Sequence, residues 1–331
     1  MQTNSAAASG REASGGMTGK LRTATALLLL ALGLLLLAAA CGSGGSSGSE
    51  KKTKIVTTLP LFADFVREIG GDRVDVSSLI PSGVNPQAWQ PATGDAERVA
   101  QAEIAFANGH DFEPAAMKVL QENLRPGVPL VQIAGDDDAL ERAGAEIFHQ
   151  TITGAHQPVL WMSVQNGKAY AQFIRQELTK FDAEGEKQYA KNAEAYFRRV
   201  DETEQYAFKR LDAVPPENKK LISTDTSLEY FGSYYAIELT AQLSVYQGQA
   251  LTADDYERIK NTIRERGVLA VFAQPYASPE NEMLRRAGEE SGVSVCTLYS
   301  DSLDDKVKSY IDLIRFDADE LYRCLGGQGA G

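Results

Sequence analysis

Imidazole ligates transition metals and moves protons near neutral pH, and the chain carries it at His110, His149 and His156. His110 follows Asn108-Gly109 at the end of a strand-like run, where open α/β sheets bind ligands. His156 lies in the loop sequence Gly154-Ala155-His156-Gln157-Pro158. Both are candidates to line a binding site. Solvent exposure is the plainer reading of a loop histidine, and it is the reading for His149. Asp and Glu total 45, yet no two are spaced as an acid and a base. There is no Gly-x-Ser-x-Gly elbow, no Gly-Lys-Ser/Thr phosphate loop, no His-Glu-x-x-His and no Gly-x-Gly-x-x-Gly after a strand. The chain therefore reads as a protein that is not an enzyme.

Thiol chemistry separates into two uses. Lys20 and Arg22 precede an apolar run, Ala24–Ala40, that ends in small residues directly before Cys41. This is a secretory signal of the lipoprotein type, in which Cys41 becomes the lipid-bearing N-terminus. Ala38 stands where Leu is commoner, and Met17 offers a later start after a polar leader. The alternative is an uncleaved anchor, since about 17 apolar residues is the lower limit for a span. Either form places the remainder outside the cytoplasm. There Cys296 and Cys324 pair as a disulfide or stay as buried thiols; sequence alone does not supply the Cα separation that decides it.

The elements that must position these groups follow from the apolar pattern. Residues 1–40 are the signal, and 41–50, rich in Gly and Ser, are a flexible tether. Val56–Leu59, Val74–Ile80, Ile104–Asn108 and Leu130–Ile133 read as strands, with helical stretches such as Leu61–Ile69 between them. Lys220–Thr224, Leu243–Tyr246, Val268–Ala273 and Val293–Tyr299 repeat the rhythm. Alternating βα units predict parallel sheets covered by helices. Residues 184–213 carry a helical pattern without proline, and Pro215-Pro216 stops it. The expected fold is α/β: two Rossmann-like lobes, 51–183 and 215–331, joined by one long rigid helix over 184–214. A ligand cleft lies between them. A net charge of -12 argues against a nucleic-acid partner.

The chain resembles the solute-binding proteins of zinc and manganese ABC importers over about residues 52–325. Lys54–Pro91 carries a strand, a short helix, Gly-Gly-Asp, a second strand and then Gly83-Val84-Asn85-Pro86-Gln87-Ala88-Trp89-Gln90-Pro91. That last stretch is similar to the family's Gly-x-x-Pro-His-x-Tyr-x-Pro loop. Ala107–Glu113 resembles the Asn-Gly stretch after the third strand, and Trp161 sits in a stretch similar to Pro-His-x-Trp-Leu-Asp-Pro. Ser223–Phe231 resembles the loop of the third ligand, Phe272–Pro279 the later Glu-Pro-x-x-Ser-Pro, and Tyr299–Leu303 the stretch with the last, acidic ligand.

The resemblance implies one metal ion in the cleft, held by four side chains. Carried over by position, these are Gln87, Val159, Asp225 and Asp301. Gln87 replaces an imidazole and Val159 cannot coordinate, so two carboxylates remain. His156, three residues before Val159, or His110 completes the shell. Trp89 and Trp161 line the cleft, although core packing is the commoner role of tryptophan. Carboxylates with an amide oxygen suit harder ions than the imidazole and thiolate sets of zinc.

The expected function is an extracytoplasmic receptor anchored to the cell membrane by its lipid. It works as a monomer, carries a divalent ion of the Zn or Mn class, and delivers it to an ABC permease. The alternatives are the same fold with a non-metal or chelated ligand, and a ligand-free surface scaffold or adhesin.

Overall fold

The computed structural model describes residues 51–147, 158–224, 226–243 and 251–326. Two runs of β-branched and small apolar residues build its two centres. Strands β1 (Thr53–Thr57), β2 (Val74–Ser78), β3 (Ile104–Ala107) and β4 (Leu130–Gln132) pair in parallel in the order β2-β1-β3-β4. Strands β5 (Lys220–Ser223), β6 (Glu238–Gln242), β7 (Ala270–Ala273) and β8 (Ser294–Thr297) repeat that plan as β6-β5-β7-β8. β3 and β7 are buried at every residue, as expected of strands covered on both faces. In each sheet the chain order reverses beside the first strand, between β1 and β3 and between β5 and β7. The loops leaving those strands therefore diverge and open a crevice at the carboxyl edge.

Seven strands overlap the runs expected from the sequence; β6 does not. The apolar signal pointed to Leu243–Tyr246, and the strand is Glu238–Gln242. β6 is an edge strand with a single neighbour, and only Ala241 among its five residues is buried. Its Glu-Leu-Thr-Ala-Gln alternation is a short, half-polar strand signal, and the more apolar run just beyond it is the stronger one.

Helices α1 (Pro60–Gly70), α2 (Asp95–Ala100), α3 (Pro114–Asn123), α4 (Asp137–Arg142) and α5 (Val164–Phe181) accompany the first sheet. α1 and α3 begin with proline, whose fixed φ suits the first helical position and whose missing N–H costs nothing there. The long element is α6 (Glu186–Asp212), which at 27 residues spans about 40 Å. α7 (Glu229–Tyr234), α8 (Ala253–Arg266), α9 (Pro279–Glu290) and α10 (Tyr310–Leu325) follow with the second sheet.

α6 is bonded at both ends to different lobes. Asn192 donates to the Ile69 carbonyl at 2.9 Å, and Arg199 pairs with Glu68 of α1. Further along, Tyr206 and Arg210 both reach Asp319 of α10, at 2.6 and 2.7 Å. α10 in turn comes back to the first lobe. Its first N–H, from Tyr310, is accepted by Asp64 of α1 at 2.9 Å, and its Tyr310 ring meets Phe65 edge-on at 5.1 Å. The Tyr310 hydroxyl donates to the Trp161 carbonyl at 2.8 Å. One apolar core runs through this junction, from Phe62 and Phe65 to Tyr196, Leu221, Phe272 and Leu313. A second, smaller core lies under α8 and α9 around Ile222, Ile259 and Leu284. A junction this continuous resists wide hinge opening.

Cys296 of β8 and Cys324 of α10 are joined by a disulfide. The sequence left this open, and the fold decides it by laying the C-terminal helix across the last strand.

Candidate functional site

The carboxyl edge of the second sheet carries its polar residues inward. After β8 the chain turns through Leu298–Leu303, and Asp301 there is 0% exposed. Tyr276, in the loop after β7, donates its hydroxyl to Asp301 Oδ2 at 3.2 Å. The two loops are bolted together by Gln274. Its Oε1 accepts the Ser300 N–H at 3.2 Å, and its Nε2 donates to the hydroxyls of Ser300 and, at 3.4 Å, of Ser227. Ser227 belongs to the loop after β5, so this bond crosses the crevice where the strand order reverses. Gln274 is held by Asn281 of α9, which accepts its backbone N–H at 2.7 Å and donates to the Tyr276 carbonyl at 2.8 Å.

Behind Asp301 lies a second carboxyl group. Asp317 of α10 accepts the Tyr299 N–H at 2.9 Å, and complete burial pushes its carboxyl well above the usual range. The Asp317 carboxyl thus pins the residue two before Asp301.

The first lobe closes on this loop at two points. The N–H of Gly83, which has φ 76°, donates to the Leu303 carbonyl at 2.6 Å. That left-handed backbone is open to glycine without strain. The Trp161 indole N–H donates to the Ser300 carbonyl, also at 2.6 Å. Gln87 belongs to the same loop as Gly83. Its backbone N–H donates to Asn85 Oδ1 at 3.0 Å, while its own Oε1 is buried and accepts no hydrogen bond. An amide oxygen withdrawn from water without a donor is costly and fits a ligand oxygen better than a structural role.

Trp89 and Trp161 are both buried, and Trp161 packs edge-on against Phe62, Phe112 and Tyr170. Val159 is buried and apolar. Asp225, His149 and His156 lie outside the described residues, as does Cys41. The neighbours of Asp225, Thr224 and Thr226, are buried at the end of β5. His110 stands elsewhere on the first lobe. It lines a groove of about 450 Å³ with Gly109, Met117, Gln132 and Gly135, and its Nε2 is 3.6 Å from Asp137 Oδ1. Neither Gln87, Trp161 nor Asp301 lines that groove.

The crevice of the first sheet is filled by a residue that sequence reading passed over. Glu113, 0% exposed, accepts the Thr58 hydroxyl at 2.8 Å and the Asn108 N–H at 2.6 Å through Oε1. Burial raises its carboxyl to about 7, against the lowering effect of those bonds. Asn108 continues the chain, accepting the Tyr170 hydroxyl at 2.9 Å and donating to the Pro158 carbonyl at 2.9 Å. The signal was a carboxylate placed between Phe112 and a helix-starting Pro114.

Asp301, Gln87 and Tyr276 offer oxygen alone. Among the described residues the one group of three metal-binding side chain types is Cys296, Glu320 and Cys324. Its two sulfurs are bonded to each other and hold no thiolate for a metal.

Comparison with known proteins agrees with this architecture. The family model for the periplasmic zinc-uptake complex component A matches residues 55–324. A metal ABC transporter substrate-binding lipoprotein of Lactococcus lactis is 22% identical over 288 residues, covering 84% of this chain and 89% of the relative. The manganese-binding lipoprotein MntA of Halalkalibacterium halodurans is 24% identical over 270 residues, 80% of this chain and 86% of its own length. Among solved structures, the periplasmic zinc binding protein TroA from Treponema pallidum superposes with a TM-score of 0.72 at 22% identity, covering 83% of this chain and 99% of its own. The Mn-bound periplasmic metal binding protein from candidatus liberibacter asiaticus gives 0.70 at 22% identity, covering 83% and 100%. These structural matches establish a common fold.

Proposed function

The chain belongs to the family of the periplasmic zinc-uptake complex component A, and from that premise we propose that it is the extracytoplasmic receptor that hands a divalent metal ion to an ABC importer. The carrying observation is Asp301, a fully buried carboxylate where both lobes close on one loop. Asp225 is its partner from the loop after β5. Gln87 adds its unbonded amide oxygen, and His156 supplies a further ligand when the ion is held. Trp89 and Trp161 wall the cleft.

Oxygen donors bind hard ions without the preference for nitrogen and sulfur that zinc shows. Mn is therefore the favoured cargo of the Zn and Mn class. Delivery requires a permease, with the lipid on Cys41 keeping the monomeric receptor at the membrane. No helix among the described residues is long and apolar enough to cross it.

The test is thermal melting of chelator-stripped protein with Zn, Mn, Fe, Ca or no metal. An ion at 100 times its Kd stabilises by about 2.7 kcal/mol. The reading requires that shift with Mn and its loss in Asp301→Asn and Asp225→Asn. No shift with any ion, or one indifferent to both substitutions, overturns it.

A further inference from the structure

We propose that Gln274 is a positioning residue that sets the cation affinity of the Asp301 site by fixing which way the neighbouring serine hydroxyls point. This rests on the reading of Asp301 as a ligand to the cargo. Gln274 is 3% exposed, and the orientation of its amide is dictated by the backbone. The Ser300 N–H can only donate, so the amide atom it meets at 3.2 Å must be Oε1. Nε2 then faces the hydroxyls of Ser300 and Ser227.

An amide NH₂ donates and does not accept. Both serines therefore give a lone pair to Gln274, and their own protons point away from it. The backbone of Gln274 is anchored as well. Its N–H is bonded to Asn281 at 2.7 Å and its carbonyl to Arg285 at 3.2 Å. The residue after Ser300 is Asp301 itself, whose loop the Trp161 indole holds from the other lobe.

A carboxylate in place of this amide would invert the polarity. Both serines would donate inward and turn lone pairs outward, and a negative charge would stand one residue from the ligand in a weakly screened region. Glutamine thus keeps the loop geometry while withholding charge from the site, which tunes it toward ready release of its ion.

The experiment is calorimetric titration of the purified protein with Mn²⁺ alone. Gln274→Glu is expected to bind at least tenfold more tightly than the unaltered protein. Gln274→Leu, with neither donor nor acceptor, is expected to bind at least tenfold more weakly while melting as a folded protein. A role confined to filling space predicts no gain for Gln274→Glu, and that result overturns the proposal, as does unchanged affinity in Gln274→Leu. Far-UV circular dichroism and thermal melting of both variants without metal check that they fold. If Gln274→Glu binds Mn²⁺ and the unaltered protein does not, the role of Gln274 stands and the cargo reading fails. If neither binds, both fail.

Discussion

Trp161 donates its indole N–H to the carbonyl of Ser300 across 2.6 Å, so a fully buried tryptophan of the first lobe is bonded to the residue before Asp301. The same tryptophan accepts the Tyr310 hydroxyl on its own carbonyl at 2.8 Å. One residue therefore ties the first lobe to the loop that carries Asp301 and to the start of α10.

Trp161→Phe keeps most of the aromatic packing and removes the indole donor. The Ser300 carbonyl is then left buried without that partner, at a cost of about 1–3 kcal/mol. Urea unfolding followed by far-UV circular dichroism is expected to show a lower midpoint with an unchanged slope. A midpoint equal to the parent's would mean that the bond adds nothing to the junction.

Glu113 makes stability depend on pH. Its carboxyl is raised from 4.5 to about 7 in the fold, so the folded state binds more protons than the unfolded state between those values. Its stabilising contribution is complete below 4.5 and is lost as pH rises through 7. The loss is about 3 kcal/mol at most from that shift. Asp64, raised by burial to about 7, acts with the same sign. Glu113→Gln keeps an acceptor for Thr58 and Asn108 and cannot ionise. Relative to the parent it is expected to gain stability at pH 8 and to gain nothing at pH 4.5. Equal differences at both values would rule out ionisation as the cause.

The sheets and the long helix were legible because their signals are local. β-branched runs mark strands buried on both faces, and the absence of proline up to Pro215 marks α6. The limits of the site were not local in this sense. Gln274 gains its role only when the loops after β5, β7 and β8 converge, and nothing in its own neighbourhood announces three loops. Asp317 was nearer to hand: it falls three residues after Ile314 and four before Leu321, on the buried stripe of α10. A carboxylate on such a stripe must be neutral or bonded. The His110 position shows the reverse case, a plausible loop residue that the fold sets in a groove of the first lobe.

Gly167 in α5 lies under the Tyr310 ring, and a methyl group there would collide with the phenol. Alanine ordinarily strengthens a helix interior by about 1 kcal/mol over glycine. Here Gly167→Ala is expected to destabilise instead, because rigid aromatic packing has to move. The companion Gly167→Ala, Tyr310→Leu protein is expected to recover part of that loss in a double-mutant cycle. Additive losses would place the clash elsewhere.

The disulfide supplies a last test, because it joins the strand leading to Asp301 with the helix that carries Asp317. Cys296 and Cys324 are 28 residues apart. Closing a loop of that length removes unfolded-state entropy worth about 3–4 kcal/mol at room temperature. Cys296→Ser with Cys324→Ser is expected to lower the unfolding free energy by that order. The reductant-treated parent should match the double variant. The bond acts chiefly on the unfolded chain, and Asp317 still pins Tyr299 without it, so cation affinity is expected to stay within threefold of the parent's. A stability loss accompanied by loss of Mn²⁺ binding would instead mean that the crosslink shapes the Asp301 loop directly.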